Sequence, residues 1–400
     1  MKRDLDSILA KKGGEALLHY SESFKDANMY YLTGFLAPDP FIYLKKVDEE
    51  PLILVNTMEY SRAKKEAQVN KVQSYEEYGY SKIAKSESDP NIGFAKFLAS
   101  VVNKNLGIKT VICVPPNFSV AVADSLRNEG LTIKPMVDVI EKARETKEPS
   151  ELEAIKETQS VVEEATKKII DLIGDTDVDN KGTLVFRENG KKQKLTVGKI
   201  KALFGHHFIE KEVVPEQALI VACGPRGSDP HYEGEPEDLL KANLPIILDI
   251  YPRNLRSRYW SDMTRTIVKG RASKTIKKMF DTVLDVKNAS TDAIRAGVLG
   301  SEMQLQCFDI LEKAGYDTVR GGKQITKGYT HGLGHGVGLE IHEGPRMSEF
   351  YPFPLEAHNV ITVEPGLYDP EIGGVRIEDI VEVTKKRCNN FTKMEICLEI

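Results

Sequence analysis

Residues 332–345 read GLGHGVGLEIHEGP, and this segment decides the interpretation of the chain. His335 stands among closely spaced glycines, and His342 follows seven positions later. No helix-length segment with a ribose-binding acid follows the glycines, so a dinucleotide site is not indicated. The next apolar stretch, VITVEPG, carries Glu364 directly after a predicted strand. Because an ionised carboxylate is costly to bury unless it is paired or binds a metal, these residues predict a polar site on strands.

Three more carboxylates stand in similar surroundings. Glu378 lies in GGVRIEDIVEV, Asp249 ends the apolar run PIILD, and Asp262 lies in RYWSDMTRT. The two aspartates flank a short connection, so a β-hairpin would bring them together. Each acid alone could be a turn former or a salt-bridge partner. The combination of four carboxylates and one imidazole, most of them on apolar strands, favours a metal site.

The residue types in this set indicate which metals suit it. Hard oxygen ligands with one histidine favour Mn, Co or Fe, permit Zn and disfavour a thiolate site. The set suits two divalent ions that share bridging carboxylates, and a pair of ions roughly 3.5–4 Å apart can activate water and polarise a carbonyl. Hydrolysis of an amide is the reaction expected of such a centre. The five cysteines are scattered and never form CxxC, so we expect reduced thiols.

The motifs SDMTRT, GHGVGLEIHEGP, TVEPG and RIED resemble those of the pita-bread metallopeptidases. That family includes methionine aminopeptidase, aminopeptidase P, prolidase and the metal-free creatinases. The N-terminal stretch DANMYYLTGF resembles the N-terminal domain of prolidases, aminopeptidases P and creatinases. Glu364 and Glu378 are 14 positions apart, as in the family. The connection from Asp249 to Asp262 is two residues longer than is usual there, which we interpret as a longer hairpin tip.

The resemblance implies a role for each predicted metal ligand. Asp249 would chelate the first metal, and Asp262 and Glu378 would bridge both metals. His335 and Glu364 would complete the second metal site. Glu364 would also pass a proton to the leaving proline nitrogen.

Four further residues match the substrate site of the proline-specific members: His231, His331, His342 and Arg376. The imide nitrogen of proline carries no N–H, so selectivity should come from a shaped pocket and from donors to the carbonyl. His231 and His342 could polarise the scissile carbonyl and stabilise the oxyanion. Arg376 could anchor a carboxylate or pair with a nearby acid. A purely structural role is the alternative for each of the four.

The activity implied by the resemblance is hydrolysis of the Xaa-Pro bond of a small peptide, most closely by an Xaa-Pro dipeptidase (prolidase). An Xaa-Pro aminopeptidase is the alternative, because the loops that would admit or exclude longer peptides are not readable in the sequence. A creatinase-like small-amide hydrolase or a non-catalytic binding module should lack several of the metal ligands. Methionine aminopeptidases usually lack the N-terminal domain. A homodimer is expected by family analogy.

The predicted fold class is α+β with two domains. Residues 1–145 would form a mixed α/β domain like that of the creatinases, and residues 146–400 a catalytic pita-bread domain, a curved antiparallel sheet with outer helices. Residues 30–35 are predicted to form an aromatic turn. Predicted strands are 15–21, 41–45, 51–56, 109–114, 184–188, 191–195, 218–223, 245–250 and 360–363. Predicted helices are 60–68, 91–106, 119–129, one that starts at Pro149, 276–295 and 304–314.

Charge and hydropathy exclude several classes of protein. The formal net charge is −5 and the pI is about 6.0, which gives no reason to expect a nucleic-acid or anionic-membrane partner. No apolar run approaches the roughly 18 residues of a membrane-spanning helix. The N-terminal stretch contains no apolar segment of a secretory signal. We therefore expect a cytoplasmic protein.

Overall fold

The computed structural model describes residues 5–107 and 109–400. The chain divides into two compact units, Met1–Arg144 (unit 1) and Glu145–Ile400 (unit 2). Among the described residues, no helix is long and apolar enough to cross a membrane. Part of the stretch used to predict the absence of a signal, residues 1–4, lies outside the described residues.

Unit 1 contains a mixed sheet with the strand order β4-β3-β2-β1-β5-β6. Its strands are β1 (Ala16–Ser21), β2 (Phe41–Lys46), β3 (Leu52–Val55), β4 (Lys71–Ser74), β5 (Val111–Val114) and β6 (Thr132–Pro135). The helices are α1 (Leu5–Lys11), α2 (Ala27–Thr33), α3 (Tyr60–Glu66), α4 (Tyr80–Ser86), α5 (Pro90–Leu106), α6 (Val120–Asn128) and α7 (Ile140–Glu145). The pairs β3–β4 and β5–β6 are parallel, and α3 and α6 provide their crossover connections. The predicted mixed α/β sheet is confirmed.

The predicted aromatic turn at residues 30–35 is wrong, because most of it belongs to the helix α2. The side chain of Asp26 accepts a hydrogen bond from the Met29 amide at 2.9 Å and caps the start of the helix. Gly34 ends the helix in the left-handed conformation, with φ 57°. The helix has only seven residues, too few for a helical period to stand out among the aromatic side chains.

Unit 2 begins with a long helix at the predicted Pro149. Its helices are α8 (Pro149–Gly174), α9 (Val197–Glu210), α10 (Lys274–Ala293) and α11 (Gly300–Lys313). Its first strands are β7 (Asp177–Val178), β8 (Leu184–Glu188), β9 (Lys191–Lys194), β10 (Val213–Val214), β11 (Ile220–Cys223), β12 (Ile246–Ile250), β13 (Arg253–Asn254) and β14 (Met263–Ile267). The remaining strands are β15 (Gly334–Gly336), β16 (Glu343–Met347), β17 (Val360–Val363), β18 (Gly366–Asp369), β19 (Gly373–Arg376), β20 (Asp379–Val383) and β21 (Cys388–Asn390).

The strands of unit 2 pair antiparallel in several short sheets, of which two carry the site. One has the order β11-β12-β14 and the other β16-β15-β17-β20-β21. Helix α10 packs against β17, β18 and β19, and α8 packs against β12, which puts apolar helix faces behind the strands. Val162, Phe204 and Leu248 are fully buried in the core shared by α8, α9 and β12. The predicted antiparallel sheet with outer helices is confirmed.

The hairpin predicted from Asn189-Gly190 is also confirmed. Strands β8 and β9 pair antiparallel from Glu188↔Lys191 to Val185↔Lys194. Asn189 and Gly190 both have positive φ, 49° and 78°. Those values suit a two-residue turn whose twist matches the twist of the strands.

A partly buried hydrogen bond in unit 1 joins β1 to the start of α2. His19 is 1% exposed, and its Nε2 donates to Asp26 Oδ2 at 3.0 Å. Burial alone would raise the pKa of Asp26, but the hydrogen bonds from His19 and from the Met29 amide lower this pKa to about 2. The ionised carboxylate therefore stabilises unit 1.

Replacing Asp26 by Asn should reduce the stability of the protein in a pH-dependent way. The folded-state pKa lies below the unfolded value, so the stabilisation is complete above about pH 4 and is lost as the pH falls towards 2. We expect Asp26→Asn to lower the free energy of unfolding by roughly 2 kcal/mol near neutral pH, and by less in acid. Urea denaturation across that pH range measures the difference. Asp124→Asn, in an exposed pair with Arg127, is the control. A cost that stayed constant with pH would contradict this account.

Candidate metal centre

The hairpin formed by β12 and β14 brings Asp249 and Asp262 together, as predicted. Asp249 pairs directly with Thr264, so their side chains share one face of the sheet. Asp262 directly precedes β14 and lines the same cavity as Asp249. The longer tip of this hairpin contains β13, which pairs with β10 rather than entering the site. The additional residues are thus accommodated away from the two acids.

The second sheet supplies His335, Glu364 and Glu378. His335 lies in the strand β15, not in a loop. Glu364 directly follows β17, and Glu378 lies between β19 and β20 rather than within a strand. The last pair of the β17–β20 ladder is Val363↔Asp379, so Glu364 and Glu378 stand opposite each other one step beyond it.

Hydrogen bonds join the two sheets at the site. The amide of Glu378 donates to the carbonyl oxygen of Thr264 at 3.1 Å. Arg265 Nη1 donates to the carbonyl oxygen of Glu378 at 2.7 Å, and Nη2 donates to Asp379 Oδ1 at 2.9 Å. Arg265 and Asp379 are both buried, so this connection is shielded from solvent. All five predicted ligands consequently line one cavity of about 850 Å³.

The cavity also contains the other predicted site residues. Its lining includes the following ionisable side chains: His231, Glu233, Asp249, Asp262, His331, His335, His342, Arg346, Glu364, Arg376 and Glu378.

The glycines around His335 have a packing role. A Cβ on Gly334 would overlap the carbonyl oxygen of Thr362, and one on Gly336 would overlap the carbonyl oxygen of Gly344. The backbone of β15 therefore approaches both neighbouring strands closely only because it lacks side chains there. This close approach brings His335 to the carboxylates, and it explains the glycine-rich run without a nucleotide.

The hydrogen bonding of His335 determines which ring nitrogen faces the carboxylates. Nδ1 donates to the carbonyl oxygen of Gly336 at 3.1 Å, which leaves the lone pair on Nε2. Nε2 lies 3.4 Å from Glu364 Oε1 and 3.7 Å from Asp262 Oδ2. Burial and the neighbouring His342 lower the pKa of His335 to about 3, so the ring is neutral. A lone pair therefore faces two carboxylate oxygens.

The carboxylates make one another costly to ionise. Burial, followed by the nearby Glu378 and Asp249, raises the pKa of Asp262 well above its usual value. Burial, followed by Glu364 and Asp249, likewise raises the pKa of Glu378. Burial and Asp249 raise the pKa of Glu364 to about 7, although Arg376 opposes the shift. A cation among these groups would remove this repulsion.

The donor atoms fit a divalent cation. Ligand atoms of Asp262, His335 and Glu378 all lie within 4.8 Å of one another. Asp262 Oδ1 is buried and has no hydrogen-bond partner within the described part of the chain. A buried acceptor without a donor, beside a second carboxylate and an imidazole lone pair, suits the binding of a divalent metal ion through oxygen and nitrogen ligands.

Arg376 lines the cavity, but its side chain is buried against Asp249. Its Nη2 donates to Asp249 Oδ2 at 2.5 Å, and Nη1 donates to the hydroxyl oxygen of Tyr368 at 2.8 Å. Nε donates to Thr264 Oγ1 at 3.2 Å. The Tyr368 hydroxyl in turn lies 2.9 Å from His331 Nε2. Of the two roles predicted for Arg376, the observed contacts match pairing with an acid.

The three other predicted histidines differ in how far they are exposed to the cavity. His331 is half-buried, and its Nδ1 donates to the carbonyl oxygen of Gly332 at 2.7 Å while Nε2 accepts from Tyr368. His231 and His342 are exposed to the cavity. The ring of His342 stands edge-on to that of His335, with centroids 4.4 Å apart.

Sequence reasoning missed two residues of the site, Arg346 and Thr264. Arg346 is the cross-strand partner of His335, so both side chains leave the same face of the sheet. Thr264 lies two positions after Asp262 and pairs directly with Asp249. The period of two along a strand could have identified Thr264 in DMTRT, but the partner of His335 depended on a register set by the fold.

Comparison with known proteins identifies the family. The model of metallopeptidase family M24 matches residues 153–385, more than half of the chain. The chain belongs to metallopeptidase family M24. The model of the creatinase/prolidase N-terminal domain matches residues 3–146. Membership of a metallopeptidase family implies the use of a divalent metal, in agreement with the donor atoms of the cavity.

The similarity to known proteins extends over nearly the whole chain. An Xaa-Pro dipeptidase from Pyrococcus horikoshii is 29% identical over 373 residues, which cover 93% of this chain and 92% of that protein. The structure of an Xaa-Pro dipeptidase from Bacillus anthracis matches with a TM-score of 0.79 at 23% identity, covering 100% of this chain and 99% of that one. An X-Pro aminopeptidase from Thermotoga maritima matches with a TM-score of 0.76 at 22% identity, with coverages of 100% and 99%.

Substituting Gly334 by Ala should disrupt the M24 site by separating β15 from its neighbours. The new Cβ would meet the Thr362 carbonyl oxygen, which cannot move without breaking the sheet. We expect a loss of about 1–3 kcal/mol in the free energy of unfolding and weaker metal binding. Denaturation and metal analysis of the purified variant measure both. Gly205→Ala in α9, where nothing lies within 4 Å, is the matched control. Wild-type stability together with full metal content in Gly334→Ala would refute the packing role.

Proposed function

We propose that this chain is an Xaa-Pro dipeptidase. The observation that carries the proposal is the meeting of four carboxylates and the Nε2 lone pair of His335 in a single cavity of an M24 protein. The relatives that are named Xaa-Pro dipeptidases support the choice of substrate. The substrate class is a small peptide with proline at the second position.

The five ligand assignments are part of the proposal. Asp249, Asp262, His335, Glu364 and Glu378 would hold two divalent ions, with Asp262 and Glu378 shared between them. Mn, Co or Fe suits this oxygen-rich donor set best, and Zn is acceptable to it. When bound, the ions supply Lewis acidity for the scissile carbonyl and activation of a water molecule.

The remaining chemistry belongs to side chains of unit 2. The Glu364 carboxyl group would transfer a proton to the proline nitrogen, which must be protonated to leave as an amine. His231 and His342 are exposed to the cavity and would donate to the oxygen of the scissile carbonyl. His331 would form a wall of the proline pocket, because both of its ring nitrogens are engaged. Arg376 would contribute indirectly, because its hydrogen bond to Asp249 orients that proposed metal ligand.

The position of Arg346 favours a dipeptidase over an aminopeptidase. It lines the cavity, is exposed and projects from the same sheet face as His335. A free dipeptide presents a carboxylate one residue beyond the scissile bond, where such a guanidinium can bind it with two hydrogen bonds. Glu233 lines the same cavity and offers a negative charge for the free ammonium end. The two charges match a zwitterionic substrate.

The remaining expectations complete the proposal. Residues 1–145 would be the N-terminal domain and 146–400 the catalytic domain, as the match of the M24 model to 153–385 supports. Homodimeric assembly rests on family analogy. The cytoplasmic location stays a prediction.

Peptide hydrolysis assays test the proposal directly. With Mn²⁺ or Co²⁺ added, we expect cleavage of Xaa-Pro dipeptides and much slower cleavage of Xaa-Pro-Yaa tripeptides. Chelator should abolish both reactions, and metal should restore them. Equal or faster cleavage of tripeptides would make the protein an aminopeptidase. Absence of both reactions in metal-loaded protein would refute the proline assignment.

The role of Arg346 can be tested with substrates that differ only in their charge. We expect Arg346→Ala to lower kcat/KM for Ala-Pro roughly 10–100-fold, because a hydrogen bond to a charged group contributes about 1.5–3 kcal/mol. The wild type should prefer Ala-Pro to Ala-Pro amide, and the variant should lose this preference. Arg271→Ala, at a highly exposed arginine, is the control. An undiminished preference in Arg346→Ala would exclude the carboxylate contact.

A further inference from the structure

Thr264 occupies a position between the two sheets that no ligand assignment uses. It lies in β14 and its exposure is 0%. Its hydroxyl oxygen is 2.7 Å from Glu378 Oε2 and accepts a hydrogen bond from Arg376 Nε at 3.2 Å. One small side chain thus touches a proposed bridging ligand and the arginine that holds Asp249.

The direction of these two hydrogen bonds follows from the chemistry of the groups. A guanidinium has only donors, so the hydroxyl oxygen of Thr264 must accept from Arg376. The single hydroxyl proton then remains for Glu378 Oε2, which accepts it. The arrangement therefore occupies one lone pair of Oε2 and restricts rotation of the Glu378 carboxylate.

The geometry of the strand keeps this hydroxyl in place. Thr264 is β-branched, and such side chains have a restricted χ1 angle. Its cross-strand partner is Asp249, whose Oδ2 accepts a hydrogen bond from Arg376 Nη2. Arg376 consequently orients Asp249 directly and Glu378 through the threonine hydroxyl.

We propose that Thr264 is a positioning residue for the metal centre, which holds the Glu378 carboxylate in the orientation that both ions require. The inference rests on the proposed metal ligands. Groups that hydrogen-bond to metal ligands typically change metal affinity 10–100-fold when they are removed. Loss of the Thr264 hydroxyl would leave Glu378 free to turn and Arg376 Nε without its acceptor.

Thr266 provides a matched control on the same strand. It lies two positions after Thr264, on the same face, and is 1% exposed. Its hydroxyl donates to the carbonyl oxygen of Arg376 at 2.9 Å and accepts from the Arg376 amide at 3.0 Å. Removing it deletes an equally buried hydroxyl that contacts backbone alone.

The experiment is a titration of the metal-free full-length protein with Mn²⁺ or Co²⁺. Binding is monitored by calorimetry or, for cobalt, by the visible absorption spectrum. We expect Thr264→Val to weaken metal binding about 10–100-fold, and Thr264→Ser and Thr266→Val to bind within a few-fold of wild type. If Thr264→Val does not fold by circular dichroism, Thr264→Ala against Thr264→Ser isolates the hydroxyl. Equal affinity in the hydroxyl-free and hydroxyl-bearing variants would overturn the inference.

This measurement separates the inference from the proposed function. A wild type that binds metal but does not cleave Xaa-Pro peptides would refute the dipeptidase assignment and leave the affinity difference to decide the role of Thr264. A wild type that cleaves these peptides beside a Thr264→Val variant of unchanged affinity would refute the role of Thr264 alone. A wild type that binds no metal would refute both.

Discussion

Buried acceptors that repel one another dominate the electrostatics of the cavity. Asp262, Glu364 and Glu378 each have a raised pKa because they are buried close to other acids. The lone pair of His335 Nε2 faces two of these carboxylates. Such a cluster is unfavourable without positive charge, and the M24 family supplies that charge as divalent metal.

The scaffold builds the cluster from residues that lie in strands of two sheets or directly next to them. One sheet carries Asp249 and Asp262, and the other carries His335 and the two glutamates. Arg265 joins the sheets through the backbone of Glu378 and the side chain of Asp379, which fixes the backbone of Glu378 relative to β14. The longer hairpin tip does not disturb this arrangement because it pairs elsewhere, through β13 and β10.

Two arginines of the cavity have different surroundings. Arg376 is buried, and all of its nitrogens have partners in Asp249, Thr264 and Tyr368. It is therefore suited to orienting ligands and not to receiving a substrate. Arg346 is exposed beside His335 and can exchange water for a carboxylate. An exposed guanidinium exchanges its hydrogen-bond partners easily. Separating a buried guanidinium from all of its partners costs much more free energy.

The family motifs, the antiparallel architecture and the five residues that meet in the cavity could all be read from the amino-acid sequence. This was possible because carboxylates on apolar strands are rare unless they bind something. The short helix α2 was missed because its seven residues are too few for a helical period of apolar side chains to stand out. The position of Arg346 beside His335, and that of Thr264 between Arg376 and Glu378, became visible in the folded chain. The register that pairs His335 with Arg346 comes from packing, and so do the contacts of Thr264 with residues 112 and 114 positions away, neither of which a local pattern contains.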